Sequence, residues 1–84
     1  MQTTALRTTC GITMQGELVN YSCGILSIRV YEPSKELLTK LIKADYYVDI
    51  IEHWQTRKEY AFICIPMRKV ESFRILNEQY TNIQ

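Results

Sequence analysis

Residues 46–65 read YYVDIIEHWQTRKEYAFICI. Tyr, Val, Ile and Phe crowd both ends of this stretch, and such residues favour strands. The polar QTRK between them predicts a hairpin of two strands, 46–54 and 59–65. Closing that hairpin with Trp54 opposite Glu59 sets a register. It puts Ile50 opposite Ile63 and Val48 opposite Ile65, and with Ala61 these form a core face. The other face then pairs Asp49 with Cys64, Ile51 with Phe62 and His53 with Tyr60.

Upstream, GILSIRVYE at 24–32 alternates: Leu26, Ile28 and Val30 fall on one side, Ser27, Arg29 and Tyr31 on the other. This is the pattern of a half-buried strand. Pro33 stops it, and Ser34 is a good N-cap with Glu36 in the first turn. Leu37, Leu38, Leu41 and Ile42 then recur at helical spacing, which predicts a helix over 34–44. Downstream, Pro66 ends the last strand. Met67, Val70, Phe73, Leu76 and Tyr80 predict a second amphipathic helix over 67–80.

The first 23 residues read as strand material, with Leu6 to Met14 extended and a tight turn at Gln15-Gly16. Glu17 to Cys23 either pairs back on that strand or continues, bent, into 24–32, with Gly24 as a bulge. The order is ββαββα. Moving the last strand of a ferredoxin-like βαββαβ unit to the front yields this order. The expected fold is therefore α+β, a permuted ferredoxin-like two-layer sandwich. Its four-stranded antiparallel sheet would carry two helices on one face.

The chain has 84 residues, enough for one small domain spanning 1–84. Ten Lys+Arg against nine Asp+Glu exclude a polycationic nucleic-acid neutraliser and an acidic mimic of DNA, but not a local basic patch. The sequence has no apolar run long enough to span a membrane, and its N-terminus lacks the apolar stretch of a signal peptide. The expectation is a cytoplasmic protein. Cys10, Cys23, Cys64 and the sole histidine, His53, are too scattered for a structural zinc site. No catalytic constellation or cofactor motif occurs, so a non-enzyme without cofactor or metal is expected. Nine aromatic residues, six of them Tyr, are many for so small a core.

With both helices on one side, the opposite sheet face is open unless the N-terminal segment folds over it. That face carries Ser27, Arg29, Tyr31, Asp49, Ile51, His53, Tyr60, Phe62 and Cys64. A patch of this kind marks an interaction site. Lys58 to Ile65, KEYAFICI, resembles the RNP1 motif of the RNA recognition motif family. Lys58, Tyr60, Ala61, Phe62 and Ile63 match or nearly match. Glu59 stands where that family has Gly, Ile65 where it has an aromatic, and Arg29 where its first strand offers a ring. The resemblance implies that Tyr60 and Phe62 stack on bases at the open face.

On this reading the protein is a small RNA-binding regulator. Arg29 and Tyr31 assist the stacking, Arg57 and Lys58 beside Trp54 hold phosphate, and Arg68 and Lys69 at the start of the second helix offer a further phosphate site. The alternative is a protein-interaction module. It would be a homodimer, or a small inhibitor- or antitoxin-like protein of the kind phages and mobile elements encode, capping a larger protein through the same face.

Overall fold

The computed structural model describes residues 2–76. It comprises β1 (Thr3–Thr8), β2 (Thr13–Ser22), β3 (Ile25–Tyr31), α1 (Lys35–Lys43), β4 (Tyr47–Glu52), β5 (Glu59–Pro66), a single 3₁₀ turn (Met67–Lys69) and β6 (Val70–Leu76). The strands form one six-stranded sheet in the order β4-β5-β3-β2-β1-β6, with every neighbouring pair antiparallel. The expected four-stranded, two-helix ferredoxin-like sandwich is thus corrected to a mostly β fold with one helix.

The difference lies in the segment after Pro66. Instead of a helix over 67–80, the chain makes one 3₁₀ turn and then pairs Val70–Leu76 with β1. Met67, Val70, Phe73 and Leu76 do recur every third residue, but Ser72 to Ile75 alternates polar and apolar, and Ile75 lies off the helical stripe. The competing demand is tertiary. The outer edge of β1 carries unpaired backbone groups, and a β-rich segment satisfies them where a helix would not. Tyr80, the last residue of the expected stripe, lies outside the described residues.

The N-terminal hairpin turns earlier than Gln15-Gly16. It reverses at Gly11 (φ +91°), where the Thr8 amide donates to the Ile12 carbonyl at 2.9 Å. Gly16 sits inside β2, and it must be glycine for a different reason: a Cβ there would run into the Arg29 carbonyl oxygen. The next reversal is a two-residue turn at Cys23 and Gly24, both at positive φ, so Gly24 is a turn residue rather than a bulge.

The core lies between the sheet and α1. It gathers Leu6, Ile12 and Met14 from the N-terminal hairpin, Leu26, Ile28 and Val30 from β3, and Ala61, Ile63 and Ile65 from β5 around Leu41. Ser34 caps α1, its hydroxyl accepting from the Leu37 amide at 3.1 Å. Leu37 and Leu38 pack against the core, whereas Ile42 faces solvent.

The β4–β5 register differs from expectation by two residues: Glu52 pairs with Glu59, Ile50 with Ala61 and Val48 with Ile63. The loop is correspondingly longer, and the His53 amide closes it on the Lys58 carbonyl at 2.8 Å. An even shift keeps every side chain on its face. It does move Ile50 out of the core, toward the free side of an edge strand.

Ile63 is fully buried, while Ile50 is 43% exposed. Ile63→Ala is therefore expected to destabilise by about 2–5 kcal/mol, and Ile50→Ala by less than about 1 kcal/mol. Urea unfolding of the two variants checks this; equal losses would contradict the register.

Candidate functional site

The face of the sheet opposite α1 is built by strict alternation on β3 and β5. Cross-strand pairing sets Tyr31 beside Tyr60, Arg29 beside Phe62 and Ser27 beside Cys64. On the far side of β5, Ile51 lies beside Tyr60, Asp49 beside Phe62 and Tyr47 beside Cys64. The N-terminal strands do not fold over this face. They extend it sideways, and among the described residues no second layer lies on it.

Its centre is a compact polar-aromatic cluster. The Tyr31 and Tyr60 ring centroids are 5.6 Å apart with planes tilted by 54°. The Arg29 guanidinium carbon lies 5.0 Å from the Tyr60 centroid, within cation–π range. Arg29 Nη1 donates to Glu17 Oε1 at 2.9 Å, and the Tyr31 hydroxyl donates to the same oxygen at 3.2 Å. Hydrogen bonding with Tyr31, helped by the charge of Glu17, raises the Arg29 pKa further above its ordinary value. Arg29 is therefore a fixed positive charge under the rings. Its Nε is buried without a partner, so the guanidinium is held from one side only.

Arg29, Tyr31, Tyr60 and Phe62 are thus brought together. Trp54, Arg57 and Lys58 sit on the β4–β5 loop, at the end of β5 nearest Tyr60. Trp54 is 77% exposed, outside the strand in which it was expected. Arg57 takes a left-handed conformation (φ +63°) and lies 3.8 Å from Glu52, an exposed and weak pair. Arg68 and Lys69 lie at the opposite end of β5, on the 3₁₀ turn. The expected phosphate site at a helix N-terminus does not exist there, because there is no helix. Lys69 instead places its ammonium 5.6 Å from the Tyr46 ring.

Sequence reasoning missed Glu17. Arg29, on a predicted strand facing away from the core, was the available signal: a half-buried guanidinium needs a carboxylate, and none lies on its own strand. The carboxylate comes from β2, whose pairing with β3 sets Glu17 opposite Arg29.

A separate polar cluster surrounds Cys10 in the first turn. Its sulfur lies 3.3 Å from Thr8 Oγ1 and 3.9 Å from the Tyr46 hydroxyl. The Thr8 hydroxyl, and more weakly that of Tyr46, lowers the Cys10 pKa. Burial raises that of Tyr46. Among the described residues no group of three or more His, Cys, Asp or Glu is placed to hold a metal, and no helix is long and apolar enough to cross a membrane. Comparison with protein-family models, curated proteins and solved structures found no match.

Two outcomes follow. Glu17→Gln leaves Arg29 without its counter-charge. With the Arg29 and Glu17 side chains 30% and 18% exposed, the expected loss is about 1–2 kcal/mol by urea unfolding. Alkylation of Cys10, followed by mass spectrometry, is expected to reach half its limiting rate at a pH below the ordinary thiol range. A midpoint at or above that range would show that Thr8 does not support the thiolate.

Proposed function

We propose that the protein is a small RNA-binding module that takes a short single strand on the open face of its sheet. The carrying observation is the pair of rings on adjacent central strands, Tyr31 on β3 and Tyr60 on β5, with Phe62 two residues further along. Aromatic rings on an uncovered antiparallel sheet form a stacking platform for bases. The RNP1-like reading of KEYAFICI supports this, since Tyr60 and Phe62 occupy the positions that stack in the family it resembles.

Electrostatics set the expected character of the binding. Arg29 is neutralised by Glu17, so stacking at about 1–3 kcal/mol per base has to supply much of the affinity. Arg57 and Lys58 add charge at the Tyr60 end.

One observation favours a second reading, a protein partner. Asp49 lies beside Phe62, near exposed Tyr47, and makes no ion pair among the described residues. An apolar protein surface with one basic side chain would suit that patch.

Fluorescence anisotropy with a labelled single-stranded RNA of mixed sequence, and with DNA of the same sequence, separates these readings. The RNA is expected to bind at low salt, and Tyr60→Ala with Phe62→Ala to weaken it by at least about tenfold while the far-UV circular dichroism stays unchanged. Unaltered binding by the double variant would move the site elsewhere. Tighter binding of DNA would overturn the RNA assignment. No binding of either, with a dimer by light scattering, would favour the protein interface.

A further inference from the structure

We infer that the RNA surface continues past the aromatic strands, across β2, β1 and β6, where Arg7 and Arg74 hold the phosphates of the bound strand. This rests on the RNA reading above and replaces Arg68 and Lys69 as the phosphate site.

The pairing registers place the new residues on the same face. Glu17 pairs with Arg29, so Gln15 and Thr13, two and four residues back along β2, share the open side. Gln15 pairs with Ala5 and Thr13 with Arg7 on β1; Ala5 in turn pairs with Arg74, and Arg7 with Ser72, on β6. Tyr31 and Gln15 border one depression, together with Thr3 and Glu17. Gln15 also borders the next depression, a groove of about 730 Å³ walled by Ala5, Arg7, Thr13, Ser72 and Arg74. The methyl group of Ala5, set between Gln15 and Arg74, is too short to fill the space. A continuous path therefore runs across the strands from Tyr60 to Arg74. It crosses four inter-strand steps, roughly 19 Å at about 4.8 Å each.

The chemistry of the path changes along its length. Its start offers rings for bases. Its end offers two guanidinium groups, with the Gln15 amide and the Thr13 and Ser72 hydroxyls between them as hydrogen-bond partners for a sugar-phosphate chain. Arginines on an edge strand have a simpler use, in blocking edge-to-edge aggregation. That explanation does not reach Arg7, because β1 lies inside the sheet between β2 and β6. Arg7 lies 3.3 Å from Glu71, but both side chains are more than half exposed, so the pair is weak and a phosphate can replace the carboxylate. Among the described residues Arg74 has no ion-pair partner. By contrast, Arg29 is sealed against Glu17, and Lys69 lies over Tyr46.

The test is the salt dependence of anisotropy with the same labelled single-stranded RNA and the full chain. Each phosphate contact contributes about 0.7 to the slope of log affinity against log salt for a single strand. Arg7→Gln with Arg74→Gln is expected to reduce the slope by about 1.4, with unchanged circular dichroism and melting temperature. Arg68→Gln with Lys69→Gln is expected to leave it as in the wild type. A wild-type slope in the Arg7/Arg74 variant, with binding still lost on Tyr60→Ala and Phe62→Ala, overturns this inference and leaves the RNA reading standing. A reduced slope in the Arg68/Lys69 variant instead overturns it as well. Failure of the wild type to bind RNA at low salt overturns both.

Discussion

The pairing of β3 with β5 is the constraint on which the rest depends. Leu26 against Ile65, Ile28 against Ile63 and Val30 against Ala61 are all buried, and they form the floor on which Leu41 of α1 rests. Because side chains alternate with a period of two, the same pairing leaves no choice on the other face. Arg29 must lie beside Phe62, and Tyr31 beside Tyr60. A slip of β3 by one residue would expose Leu26, Ile28 and Val30 and bury the Arg29 guanidinium with Tyr31, a loss far beyond the margin of a domain this small. The aromatic platform is therefore held in place by the hydrophobic core beneath it.

The second half of the sheet is attached through β2, which is long enough to pair with β1 along its first part and β3 along its second. Two local devices shape that strand. Gly16 lets its backbone approach Arg29, and an irregularity between Leu18 and Asn20 leaves Val19 as an extra residue. Glu17, between these two features, bonds Arg29 and Tyr31 across the strand gap. The polar cluster on the open face therefore joins the N-terminal strands to the central ones, opposite the apolar contacts that do so underneath.

Residues 24–65 were legible because their local signals agree with one another. The alternation in GILSIRVYE, the proline and serine before α1, and the alternation in EYAFICI each allow one assignment. The faces of β4 were legible too, although its register was not. Trp54 looked like a strand residue, but hydrogen bonds between His53 and residues 57 and 58 took it into the turn. The flanks were ambiguous. Met67 to Leu76 carries an apolar residue at every third position and a short alternation over 72–75, and only the vacant edge of β1 decides between helix and strand. Gln15-Gly16 reads as a turn, but the glycine answers a close approach made by the backbone of Arg29, on another strand. Arg7 and Arg74 were illegible as site residues for the same reason, since their common face exists only once β6 has paired with β1.

The near-neutral charge of the chain takes on a different meaning once the charges have places. Of the cations first expected to serve a nucleic acid, Arg29 is bound internally, Arg57 leans toward Glu52, Lys58 stays on the β4–β5 loop at the rim, and Arg68 and Lys69 belong to the far turn. What remains is an aromatic half without a free cation at its centre and a polar half with Arg7 and Arg74 at its outer side. Such a division argues against sliding along any polyanion, because a duplex would present phosphates to the rings and keep its bases stacked inside. It suits a strand whose bases and phosphates can part company, bases toward Tyr31, Tyr60 and Phe62, phosphates toward the arginines. Single-stranded RNA has that freedom, and a double helix does not.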